Sequence, residues 1–174
     1  MPLRIVAFYI VFVALDLITT YLATPNLQFE SNSVIKHFNL GWISIVMLAV
    51  VGVSLMCLML LCARLYFVGF FLESQGSLCL NTVSFKFILS FLLLVGFYFH
   101  FLYSIFLVFN NSMGYVYLNN FGGVFSIIAA RYINVVTLHR TYFYVIIQVV
   151  VLLASICCVI FSLLNMKDRL YAKV

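Results

Sequence analysis

The chain has 174 residues, of which 67% are hydrophobic and only 7% charged, with a mean hydropathy of +1.24. Soluble domains run near half apolar and a quarter charged, so a water-soluble fold is excluded, and the length leaves room for a single domain. Nine Lys+Arg against four Asp+Glu give a net charge of +5, but the basic residues stand singly at the ends of apolar runs. That distribution is a topology signal rather than a nucleic-acid footprint.

The first apolar run spans 5–23, follows Arg4 and ends at Thr24-Pro25-Asn26, where proline and polar residues stop a helix. A secretory signal peptide is the rival reading. Asp16 and the Thr19-Thr20 pair interrupt the apolar segment that reading needs, and no clean A-x-A site follows. Residues 25–41 form a polar connection with Glu30, Asn32, Lys36 and His37, and Trp42 marks an interface as aromatic belts do.

The second span, 43–63, carries no charge before Arg64. Residues 65–84 are mixed: Phe67–Leu72 is too short to cross and Glu73-Ser74-Gln75-Gly76 is a turn pattern, which predicts a loop dipping into the interface. The third span, 85–109, is flanked by Lys86 and closed by Asn110-Asn111-Ser112. Over 124–138 an apolar stretch containing Arg131 and Asn134 is too short to span comfortably and predicts an interfacial or re-entrant helix. The last span, 142–165, holds Gln148 and ends before Lys167-Asp168-Arg169. The expected fold is therefore an all-α membrane domain over 1–174, a bundle of about four transmembrane helices plus that shorter one.

Four spans set the orientation. With a cytoplasmic N-terminus, Arg4, Arg64, Lys86, Lys167, Arg169 and Lys173 share the inner side, against Lys36, Arg131 and Arg140 outside, so both termini are expected in the cytoplasm. Cys57, Cys62, Cys79, Cys157 and Cys158 contain no CxxC pair and are read as reduced packing residues, which disfavours quinone-type redox chemistry.

Ionisable groups inside a span cost about 2.5–3.5 kcal/mol on insertion scales, so each calls for a reason. Asp16 lies about 18 Å up its helix from Arg4, with Thr19 and Thr20 on the same face. His100 lies about 21 Å above Lys86, and Gln148 about 12 Å in from Arg140. This reckoning places Asp16, His100 and Gln148 in one layer, with Gly96, His100 and Ser104 forming a small, polar stripe and Glu30 and Asn32 closing over the outer end.

The run Asp16-Leu17-Ile18-Thr19-Thr20-Tyr21, followed by Glu30-Ser31-Asn32, resembles the hallmark of a family of small uncharacterised prokaryotic membrane proteins. Those carry an Asp-x-x-Thr-Thr first helix and then Glu-x-Asn-Pro; Ser33 stands here in place of the proline. The likeness covers 16–33 and implies that Asp16, Thr20, Glu30 and Asn32 act as one polar set.

Three functions remain open. The first is a non-enzymatic accessory or structural subunit of a membrane assembly, with lipids and other membrane subunits as partners and no nucleic acid. The second is a small transporter or lipid-binding protein with an outward-opening pocket of Asp16, Glu30 and His100. The third, an intramembrane metal-assisted hydrolase, has no HExxH, GxSxG or CxxC motif behind it, so no catalytic residue, metal ligand or cofactor is assigned. The polar layer itself is either a binding site or interhelical glue.

Overall fold

The computed structural model describes residues 3–27, 37–38, 41–76 and 80–171, with side chains described for 4–27, 37–38, 41–71 and 85–166. Among the described residues, five helices carry the fold: α1 (Leu3–Ala23), α2 (Trp42–Gly76), α3 (Leu80–Asn119), α4 (Gly123–Leu138) and α5 (Arg140–Tyr171). Four stretches, Arg4–Ala23, Trp42–Phe71, Phe85–Asn119 and Arg140–Met166, have the length and apolarity to cross a membrane. The chain fits a multi-pass integral membrane protein, as its composition requires.

Helix α3 is the spine, with α1, α2, α4 and α5 each packed on it. Tyr9 lies against Phe97, His100 and Phe101, and Asp16 and Thr20 against Asn111, so α1 and α3 run parallel. Ser90 donates to the Ala63 carbonyl at 2.8 Å and Gly96 faces Met59, which makes α2 antiparallel to α3. Tyr98 bonds Ser162 at 2.6 Å while Phe106 meets Tyr144, so α5 is antiparallel as well. Tyr9, Ala63, Leu94, Phe97 and Val159 are fully buried where these helices converge.

Where helices end, local chemistry explains it. Thr24 closes α1, its amide on the Thr20 carbonyl at 2.8 Å, and Leu27 follows at φ 55. Asn120, Gly122 and Gly123 all have positive φ, the left-handed backbone that glycine adopts without strain, and they reverse the chain between α3 and α4. One residue, His139, separates α4 from α5. Its amide reaches the Val135 carbonyl and its own carbonyl accepts from the Phe143 amide, so the backbone ladder passes through the bend.

Two sequence expectations are corrected. The loop expected over 65–84 is helix except at 77–79, which lie outside the described residues. Phe67 and Phe71 are buried and Phe70 packs on Phe87 at 5.2 Å, so packing against α3 carries α2 past Arg64 and through the turn-like Glu73-Ser74-Gln75. The third span does not close at Asn110-Asn111-Ser112, because Asn111 bonds α1, Asn110 accepts from Tyr132, and Ser112 donates back to the Val108 carbonyl of its own helix. The helix therefore runs on to Asn119. The short apolar stretch at 124–138 does form a helix, α4, which returns along the end of α3 with Tyr132 against Phe109 and Asn110.

Candidate functional site

On α1, the apolar helix brings its polar face to α3. The Thr20 hydroxyl donates to the Asp16 carbonyl at 2.7 Å, leaving its oxygen lone pairs free to accept. The Asn111 amide on α3 takes up that capacity: its Nδ2 donates to Thr20 Oγ1 at 2.8 Å and to Asp16 Oδ1 at 2.9 Å. Thr19, by contrast, turns its hydroxyl back to the carbonyls of Leu15 and Asp16. Asp16, Thr20 and Asn111 thus form a two-helix cluster that holds a carboxylate with an amide.

His100 is not part of it. Its Nδ1 lies 3.1 Å from the Tyr9 hydroxyl, with the two rings edge-on at 5.6 Å. Tyr9 precedes Asp16 by about two helical turns, or roughly 10 Å. The expected single layer is therefore two levels: Tyr9 with His100 nearer the start of α1, and Asp16 with Thr20 and Asn111 nearer its end. Ser104 is buried and donates to its own His100 carbonyl, and Gly96 accommodates Met59 of α2, so the small-residue stripe serves helix contact.

Gln148 on α5 is exposed and is not brought onto the Asp16–Thr20–Asn111 cluster by any of the hydrogen bonds described. Tyr132 of α4 donates to Asn110 Oδ1 at 2.9 Å and adds the last helix to this end. Glu30 and Asn32 lie outside the described residues.

Sequence reasoning missed Asn111, Tyr9 and Tyr132 as partners of the polar side chains. Asn111 had a signal, since an amide inside a helix of this apolarity needs a partner for the reason Asp16 does. The tyrosines had none, because the chain holds 11 of them.

Among the described residues, every buried side-chain nitrogen or oxygen has a hydrogen-bond partner. No group of three or more His, Cys, Asp or Glu is assembled among them either, and Asp16 and His100 serve different partners. Comparison with protein-family models, with curated proteins and with solved structures finds no match.

The Tyr98–Ser162 bond offers a measurement of one such link. Tyr98→Phe keeps the ring against Phe97 and removes only the hydroxyl contact to α5. The expected loss is about 0.5–1.5 kcal/mol of stability in a detergent unfolding titration, as for other interhelical bonds in membranes.

Proposed function

We propose that this chain is a non-enzymatic accessory subunit of a membrane protein assembly, held in shape by interhelical polar contacts and offering its outer faces to lipids and neighbouring subunits. One observation supports the reading above others: several polar side chains inside the spans bond one another across helices. Tyr9 meets His100, Asp16 and Thr20 meet Asn111, Tyr98 meets Ser162 and Asn110 meets Tyr132. An arrangement of that kind fixes helix register, the best-attested use of polar groups in bundles, and leaves few groups directed at a ligand. Both termini are placed in the cytoplasm, because the basic residues are more numerous at that end.

The grouping of Asp16 with Thr20 favours the likeness to the Asp-x-x-Thr-Thr family as well, since both contact one amide. A second reading, a transporter or lipid-binding protein using Asp16, Glu30 and His100, draws on the one carboxylate that α1 carries into the membrane.

Purification of the tagged full chain in mild detergent separates the two. The accessory reading expects stoichiometric recovery of other membrane subunits. A solitary, monodisperse bundle that retains a lipid or solute, with thermal stabilisation by that molecule lost in Asp16→Asn, would overturn it in favour of the second.

A further inference from the structure

His100 is exposed on α3, and its Nδ1 faces the Tyr9 hydroxyl at 3.1 Å. Among the described residues none bonds Nε2, the nitrogen at the far end of the ring. Acyl chains account for an exposed apolar side chain, but they offer nothing to a ring nitrogen.

Helix α2 gives the depth of this imidazole. Trp42, an interface residue whose Nε1 donates to the Pro25 carbonyl, and Arg64 bracket an uncharged stretch of about 33 Å, close to the ~30 Å hydrocarbon core. Gly96 against Met59 and Ser90 on the Ala63 carbonyl set His100 level with Val53 to Leu55 of that antiparallel helix, near the middle of the stretch. On α1 its partner Tyr9 stands about 8 Å past Arg4. Either measure leaves lipid ester oxygens, which sit at the boundary, out of hydrogen-bond reach.

Tyr9 decides the tautomer. It is fully buried, and its hydroxyl hydrogen has one acceptor among the described residues, Nδ1. Were Nδ1 the donor, a buried O–H would be left unpaired. Tyr9 therefore donates, and the neutral ring carries its hydrogen on Nε2. The chain thus holds an N–H donor outward, deep in hydrocarbon, where an unpaired polar group is costly.

Resting on the accessory-subunit reading, we propose that His100 is the contact point for a transmembrane helix of a neighbouring subunit, one that carries Asp, Glu, Asn or Gln at mid-span and accepts from Nε2 through its side-chain oxygen. A polypeptide at this depth must satisfy its own backbone, so the occupant is helical. Its polar side chain has the same need as the imidazole, and each satisfies the other. A second copy of this chain presents the same donor at the same depth, so two imidazoles brought face to face leave one hydrogen unpaired. The Tyr9 bond and the edge-on contact of the rings at 5.6 Å hold the imidazole in place, which leaves little ordering to binding.

The test uses Tyr9→Phe as its background, because that change removes the hydroxyl which substitution of His100 would orphan. In tagged full-chain preparations from native membranes, adding His100→Leu is expected to lower recovery of co-purifying subunits about tenfold, equivalent to about 1.4 kcal/mol. Adding His100→Gln instead keeps an N–H donor and should retain them. A benzoylphenylalanine in place of the half-buried Phe99, beside His100, is expected to cross-link a neighbour's helix within a turn of one of those four residues, located by peptide mass. Should the leucine variant unfold, this cross-link decides. Adducts with lipid alone overturn the docking, adducts with a second copy overturn the choice of partner, and a cross-linked helix without such a residue overturns the hydrogen bond. Subunits recovered undiminished with His100→Leu leave the accessory reading standing and remove this contact from its interface. A wild-type chain that recovers none defeats the accessory reading itself.

Discussion

Tyr9→Ala is expected to lower the stability of the bundle by about 2–4 kcal/mol, read as the shift in midpoint and free energy of an SDS-titrated unfolding transition in mixed micelles. Tyr9 is fully buried where α1 meets α3, with Phe97 at 5.4 Å, His100 at 5.6 Å and Phe101 at 6.3 Å between ring centroids. Truncation removes that ring packing and leaves a cavity, which in soluble cores costs about 3–5 kcal/mol for an aromatic. The range here is set lower because the separated helices remain in an apolar solvent, so the loss is of dispersion contacts rather than of transfer from water. Tyr9→Phe keeps the rings together and deletes only the bond to His100, for an expected loss of about 0.5–1.5 kcal/mol. A Phe variant as unstable as the Ala variant would mean that the hydroxyl–imidazole bond, and not the packing, holds α1 in place.

The membrane class, the all-α fold and the four apolar helices were legible because a 3.6-residue helix must be apolar over about 20 residues to cross. Two expectations failed because of packing: the loop expected over 65–84 is helix apart from 77–79, which lie outside the described residues, with Phe70 of α2 on Phe87 of α3, and the third span continues past Asn110-Asn111-Ser112, where the asparagines find partners on α1 and α4. Because Lys86 was used as the depth marker, His100 was assigned the level of Asp16. The register of the helices instead gives His100 to Tyr9 and Asp16 to Asn111.

Sequence can supply the distance of a residue from a charge along its own helix, but not the offset between helices. That offset depends on which side chains interlock. Asn111 illustrates the same gap, since its position beside Asn110 and Ser112 is a stop signal in isolation and becomes helix interior only once Asp16, Thr20 and Tyr132 are opposite. The pairing of Thr20 with Asp16, four residues apart on one helix, needed no such information and was readable directly.

The Asp16–Asn111 pair gives the sharpest division between glue and binding site. Asn111→Leu removes one donor that serves both Asp16 and Thr20 and is expected to cost about 1.5–3 kcal/mol, above the 0.6 or so typical of membrane hydrogen bonds because one of the two bonds lost goes to a carboxyl group. Asp16→Leu removes the group that needs a partner, and its cost should be smaller, since replacing both sides of a buried polar contact by apolar groups is often neutral. In the double variant Asp16→Leu with Asn111→Leu, the loss is expected to fall below that of Asn111→Leu alone, giving a coupling of about 1–2 kcal/mol in the double-mutant cycle. Asp16→Asn preserves an oxygen that accepts from Asn111, so a role in register alone predicts near-wild-type stability and undiminished recovery of partner subunits. A site that uses the negative charge predicts the opposite split: stability retained, with ligand stabilisation abolished. Additivity of the two leucine substitutions within about 0.3 kcal/mol would show that the contact contributes nothing to holding α1 on α3.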